Sequence, residues 1–164
     1  MPWIAENHGM KNGLEFYLVD HHYYNRNRRS ETRTHTLCLL INHDGKIPNF
    51  YIRNRKFFLD DLEKFLGGKE ICIADDKEFS KKFFIQSDNE KEVIDFFNSD
   101  VRKLFLDYHK NNYEFEFKNN SLIVLKKVTP NFFATDEFIP LKERIQLLEN
   151  SVNFLQSFKA IMKA

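Results

Sequence analysis

Residues 113–125 read Tyr-Glu-Phe-Glu-Phe-Lys-Asn-Asn-Ser-Leu-Ile-Val-Leu, and this stretch decides the fold that the sequence predicts. Aromatic side chains alternate with charged ones over its first six residues, which is the period of a β-strand with one buried face. Asn119 and Asn120 follow, and asparagine tolerates the left-handed backbone of a tight hairpin turn. Residues 121–125 return as a second, more apolar strand. We therefore predict a β-hairpin with Phe117 and Ile123 in the core.

The same patterns predict strands and helices on both sides of this hairpin. A mostly antiparallel sheet with its helices packed on one face would bury every apolar stripe, so the predicted fold class is α+β with a long C-terminal helix. Residues 1–13 are predicted as an irregular lead-in, and residues 14–164 as a single α+β domain. The predicted strands outside the hairpin span residues 14–24, 34–41, 49–53, 70–73 and 83–85. The predicted helices span residues 57–66, 90–97, 100–108 and 141–155, and the middle two are either separate helices or one kinked helix.

Local signals mark where the predicted helices begin. Ser87 through Glu90 match a capping box, and Ser99 is expected to cap the next helix. Pro140 suits the first turn of the last helix. An apolar stripe is predicted along that helix, formed by Leu141, Ile145, Leu148, Val152 and Leu155.

Composition excludes several classes of protein. The 164 residues are 42% hydrophobic and 30% charged, which suits a folded domain rather than a disordered chain. The formal net charge of +1 disfavours nucleic acid as a partner, unless a local patch binds it. No apolar run approaches the length of about 20 residues that a bilayer needs, and no secretory signal is evident. A cytoplasmic protein is expected, with Cys38 and Cys72 as small buried residues.

One candidate site is a metal centre near the first predicted hairpin. If that hairpin is centred between Arg28 and Arg29, His22 and His35 face each other, and Asp20 shares the face of His22. Two imidazoles and a carboxylate can bind a metal ion. The alternative is that the histidines are ordinary strand residues near a hairpin tip.

A second candidate site is the arginine-rich segment of the same hairpin. Arginines with neighbouring aromatic residues are used to recognise phosphate or single-stranded nucleic acid. Anionic lipid head groups or an acidic protein would satisfy the same side chains. The alternative is a solvated hairpin tip whose charge prevents edge-to-edge aggregation. The candidate residues are Tyr23, Tyr24, Arg26, Arg28, Arg29 and Arg33.

Motifs of common catalytic sites are missing from the sequence. It contains no G-x-G-x-x-G, no P-loop and no G-x-S-x-G. We therefore expect a non-enzymatic protein without a cofactor, although Asp20, His22 and His35 keep open an enzyme or metal protein.

Several short motifs resemble an uncharacterised bacterial family, a domain of unknown function often found behind predicted transmembrane helices. The matching residues are Asp20 with Tyr23, then Thr36, then Pro48-Asn49-Phe50, and finally Phe79-Ser80-Lys81-Lys82-Phe83. The likeness covers most of residues 14–126. His21 departs from the aromatic residue that the family has after the aspartate. The resemblance implies no activity. It does imply that the protein works next to a membrane, either as a soluble member of the family or as a domain whose membrane anchor was left off.

These observations together predict a soluble, non-enzymatic binding or interaction domain that works next to a membrane. A protein or an anionic membrane surface is the expected partner. The alternatives are a metal site at Asp20, His22 and His35, and binding of nucleic acid or anionic lipid through residues 26–33.

Overall fold

The structure, a computed structural model, describes residues 3–27, 30–43, 46–55, 70–128 and 139–163. Side chains at positions 3–6, 21–27, 30–35 and 128 lie outside this description, so these residues are placed by backbone pairing alone. The predicted helix at residues 57–66 and the predicted loop at residues 129–138 also lie outside the described residues.

Seven described strands form one antiparallel sheet in the order β1-β2-β3-β7-β6-β4-β5. Together with the helices they confirm the predicted α+β class and the long C-terminal helix. The strands are β1 (Trp3–Lys11), β2 (Leu14–Asn27), β3 (Ser30–Asn42), β4 (Phe50–Asn54), β5 (Phe83–Gln86), β6 (Glu114–Lys118) and β7 (Ser121–Val128). The described helices are α1 (Lys77–Lys82), α2 (Glu90–Phe96), α3 (Ser99–Tyr108) and α4 (Leu141–Lys163), with a 3-10 turn at His109–Asn111.

The β6–β7 hairpin forms as predicted, but the buried face of its second strand is the opposite of the predicted one. Asn119 and Asn120 both adopt positive φ, 50° and 61°, as a type I′ turn requires. Phe117 is buried, as predicted, whereas Ile123 is only half-buried. Leu122 pairs with Phe117 across the hairpin and takes the core position instead. The prediction for Ile123 was wrong because β7 is apolar at successive positions, so alternation could not identify its buried face.

The irregular lead-in predicted for residues 1–13 is also corrected, because Trp3–Lys11 forms strand β1 at one edge of the sheet. A two-residue turn joins it to β2, with Asn12 and Gly13 at φ 52° and 76°. The neighbouring Gly9 has a packing role, since a Cβ there would lie 3.0 Å from the ring of Phe16 on β2. Strand β1 was missed because it lacks alternation of apolar and polar residues, although Asn-Gly is a strong hairpin signal.

The core lies between the helices and one face of the sheet, and phenylalanine dominates it. Phe105 on α3 is fully buried at the centre. Strands and helices both pack against its ring, and edge-to-face contacts add to the stabilisation that comes from burying it. The rings with centroids 5.1–6.3 Å from that of Phe105 belong to Phe50, Phe83, Phe97, Phe115, Phe154 and Phe158.

The helix starts differ from those predicted at two positions. Helix α2 is capped by Asn89, whose side chain accepts from the amide of Glu92, while Ser87 Oγ donates to the carbonyl of Asn49. Helix α3 is capped by Asn98 rather than Ser99. Asparagine competes well with serine for the cap position, and each helix begins where the asparagine is.

Helix α4 buries a different stripe from the predicted one. Val152 and Leu155 are buried as expected, but Leu141 and Ile145 are exposed by 70% and 45%. Leu147, Phe154 and Phe158 face the core instead. At residues 70–73 the predicted strand reduces to a single bridge between Glu70 and Gln86.

Candidate functional site

In the part of the chain that the structure describes, strands β2 and β3 extend beyond both of their neighbours in the sheet. The described pairing of β1 with β2 reaches His22, and that of β7 with β3 reaches His35. Beyond those residues the described pairing is between β2 and β3, in five residue pairs from Tyr23↔Thr34 to Asn27↔Ser30. We call residues 23–27 and 30–34 the arm. At about 3.3 Å per residue the arm is about 17 Å long.

The arm contains most of the sequence-predicted binding residues, and its register assigns them to faces. Tyr24 lies opposite Arg33, and Arg26 lies opposite Glu31, so these four strand positions share one face. Tyr23 occupies the other face. Arg28 and Arg29 lie outside the described residues.

Formal charge is unevenly divided between the arm segment and the rest of the chain. Residues 23–34 hold four arginines and one glutamate, a formal charge of +3, in a chain whose net charge is +1. The other residues therefore sum to −2. Because this charge is local, the near-neutral total conceals it.

Asp20 anchors the base of the arm to helix α4. Its Oδ2 accepts hydrogen bonds from Arg144 Nη2 at 2.9 Å and from the amide of Ile139 at 3.0 Å. Arg144 Nε in turn donates to the carbonyl of Ile139 at 3.0 Å. The Asp20 residue is 1% exposed, so this ion pair is screened weakly by solvent.

The predicted metal site assumed that His22 and His35 lie opposite each other. The strand register confirms this, because the two residues pair. Asp20 lies on the same face two residues earlier, but one of its carboxylate oxygens already binds Arg144 and Ile139. Among the side chains that the structure describes, no group of three His, Cys, Asp or Glu could hold a metal ion. The side chains of His22 and His35 are outside that set, and the metal site stays a prediction.

A second buried carboxylate was missed by the sequence reasoning. Glu114 is 8% exposed, although alternation placed it on the polar face of its strand. Tyr51 Oη donates to its Oε2 at 2.8 Å, and Lys127 Nζ donates to its Oε1 at 3.0 Å. Beside it, the guanidinium of Arg53 lies 4.5 Å from the ring centroid of Phe84. The periodicity assigned Glu114 to the right face but gave no sign of its burial.

The face of the sheet away from the described helices carries apolar side chains on β2, β3 and β7. We call this the open face. Its central positions are half-buried, and none of them belongs to the core cluster. Tyr17 and Met10 on the same face are exposed by 41% and 68%. The half-buried residues are Val19, Cys38, Leu40, Ile123 and Leu125.

The two cysteines differ from each other, contrary to the prediction that both are buried. Cys38 is half-buried on the open face, and burial, with a smaller contribution from Glu116, raises the pKa of its thiol. Cys72 is exposed, whereas its neighbours Ile71 and Ile73 are buried, so it lies on the side of its segment away from the core.

Four polar side chains join β1, β2 and β3 at one end of the open face. The ring of His8 stacks on that of Tyr17 with centroids 4.4 Å apart. Glu15 Oε1 lies 2.9 Å from His8 Nε2 and accepts from Tyr17 Oη at 3.2 Å, while Asn42 donates to Oε2 at 3.4 Å. The hydrogen bonds with His8 and then with Tyr17 lower the pKa of Glu15, and the one with Glu15 raises the pKa of Tyr17.

We expect His8→Ala to raise the pKa of Glu15 toward the ordinary value for glutamate, measured by NMR titration of the side-chain carboxyl. The folded pKa of Glu15 is lowered, so its hydrogen bonds stabilise the fold above the unfolded pKa, and that contribution is lost as pH falls through the folded pKa. Asn42→Ala is the matched control and should raise the pKa less, because its bond is the longest of the three. An unchanged pKa in the His8 variant would contradict the assignment.

Comparisons with protein-family models, with curated proteins and with solved structures found no match to this chain. The likeness to a membrane-associated bacterial family therefore stays a prediction. Within the described ranges no helix is both long and apolar enough to cross a membrane.

Proposed function

We propose that this chain is a non-catalytic binding domain whose arm holds a partner with clustered anionic groups. The observation that supports this most is the extent of strand pairing among the described residues. There, pairing with β1 reaches His22 and pairing with β7 reaches His35, and every arginine of residues 23–34 lies beyond those positions. A well-packed core thus carries a two-stranded ribbon on which positive charge is concentrated.

Arginine suits this role because its planar guanidinium can form two parallel hydrogen bonds with a phosphate or a carboxylate. Tyr23 and Tyr24 adjoin the arginines in sequence and supply aromatic faces for stacking. Arg26 lies opposite Glu31 in the register, whereas Arg33 lies opposite Tyr24. Together these residues favour phosphate as the group that is recognised.

Phosphate groups could come from a lipid surface or from nucleic acid. The resemblance to a family found behind predicted transmembrane helices supports lipid head groups. The shape of the arm supports nucleic acid, because the major groove, about 12 Å wide, admits a two-stranded ribbon. Both sources share one chemistry, and the experiment below separates them.

Replacing Arg26, Arg28 and Arg29 together with glutamine should weaken phosphate binding at least tenfold and leave stability almost unchanged. Exposed charges seldom contribute more than about 1 kcal/mol each to folding. Binding is measured at low salt with two probes, vesicles containing phosphatidylserine and a labelled DNA duplex. Wild-type binding to the cognate probe should weaken steeply with salt, and for DNA the triple variant should lower the slope by about 3.

The matched control replaces Lys91, Lys103 and Lys110 with glutamine, which removes the same charge from exposed positions outside the arm. It should bind like the wild type. Binding to vesicles alone identifies lipid, and binding to the duplex alone identifies nucleic acid. If the wild type binds neither probe, or if the lysine variant loses binding equally, the proposal fails.

A further inference from the structure

The half of the sheet formed by β1, β2, β3 and β7 leaves its open face without a described element packed on it. The buried apolar side chains of the described helices all belong to the core cluster on the other face. Alternation places one row, Tyr17, Leu40 and Ile123, next to a second row, Val19, Cys38 and Leu125. Apolar surface of this extent on a folded protein marks an interaction site.

We infer that this face is the interface between two copies of the chain, which stack their sheets face to face. Sheets pack in this way about 10 Å apart with their strands roughly aligned, and apolar side chains interdigitate between them. The inference is independent of the arm, because it uses the other end of the same strands.

The size of the face is sufficient for such an interface. Four strands about 4.8 Å apart and about eight residues long at 3.3 Å each cover about 500 Å² in plan. Two copies would therefore bury about 1,000 Å² together, which is the lower bound for a biological contact. The exposed side chains of Tyr17 and Met10 stand at its border and would add to this area.

The charged residues around the face favour a second copy of this chain as the partner over a molecule that carries charges of only one sign. Glu15 and Glu116 lie near the apolar rows on β2 and β6, and Lys118 and Lys127 lie on β6 and β7. A two-fold axis brings a surface against itself, so acidic positions of one copy can lie against basic positions of the other. A face that carries both signs can therefore complement itself, whereas residues 23–34, with a formal charge of +3, would repel their own copy.

Sedimentation equilibrium at protein concentrations from about 10 to 200 µM tests the inference, since an interface at the lower bound of area implies micromolar affinity. Wild type should be a dimer at the upper end of this range. Leu40→Lys should be a folded monomer, because the charge would be buried at the centre of the interface.

Two further variants keep the test decisive. Tyr17→Lys places the same charge at a side chain that is already 41% exposed, so it should fold and still weaken the dimer at least tenfold. Leu141→Lys makes the matched change on α4, at an apolar residue that is 70% exposed on the helical side, and should leave the dimer intact. The arginine triple variant should also remain dimeric.

Three results would overturn the inference. If the wild type is monomeric at 200 µM, the face does not join two copies of this chain, and another protein would have to bind it. A dimer that survives both Leu40→Lys and Tyr17→Lys in folded protein would place the interface elsewhere. Dissociation by Leu141→Lys would place it on the helical side.

Discussion

Phe117→Ala is expected to lower the free energy of unfolding by about 3–5 kcal/mol, the usual cost of removing a phenylalanine side chain from a core. The residue is 1% exposed, and its ring centroid lies 4.9 Å from that of Phe50 and 5.2 Å from that of Phe158. The strand and helix on its two sides can collapse only partly into the cavity that results. Urea denaturation measures the loss as a lower midpoint at unchanged slope.

Ile123→Ala is the matched control because it lies in the same hairpin on the open face. Its half-buried side chain should contribute about 1 kcal/mol when the measurement is made at low protein concentration. If the two variants lost equal stability, the core would not be confined to the helical side of the sheet.

Asp20→Asn is expected to destabilise the fold by about 3–5 kcal/mol, which is typical of breaking a buried ion pair. The substitution keeps the shape of the side chain but removes the charge that faces Arg144 at 2.9 Å. Asparagine can also point its amide group toward the Ile139 N–H, which would leave that donor unsatisfied. Thermal and urea unfolding should agree on the loss.

A double-mutant cycle with Arg144→Met isolates the coupling between the two charges. The ion pair of Glu78 with Lys82 is the surface control, at 2.7 Å but with both side chains largely exposed. Glu78→Gln should cost less than about 0.5 kcal/mol. If Asp20→Asn lowers the free energy of unfolding by no more than Glu78→Gln does, the Asp20–Arg144 pair contributes no more than a surface ion pair.

The parts of the fold that the sequence predicted depend on contacts between near neighbours. The Asn119-Asn120 turn and the alternation that ends at Phe117 lie within one short hairpin, and the observed register of β2 with β3, which pairs His22 with His35, is the one predicted from residues close in sequence. In each case local backbone preference and local periodicity agree.

What the sequence did not predict depends on distant partners or on ambiguous patterns. The Asp20–Arg144 pair joins residues 124 positions apart, and no sequence pattern connects them. How far β1 and β7 pair along β2 and β3 depends on other segments of the chain, so residues 23–34 alone could not predict the described extent of the arm. The open face escaped prediction because β7 is apolar at successive positions, so no period distinguished Leu122 from Ile123.

The sheet order has a consequence for how fast the chain reaches its fold. Strands β1 and β2 pair across a two-residue turn, as do β6 and β7, whereas β3 and β7 meet only after the intervening chain has closed into a loop. At the end of that boundary Asn42 and Ser121, 79 residues apart, share a hydrogen bond of 3.0 Å. The entropy lost on loop closure precedes any gain from such a pairing, which slows folding. We therefore expect the β1–β2 and β6–β7 hairpins to form before β3 joins β7.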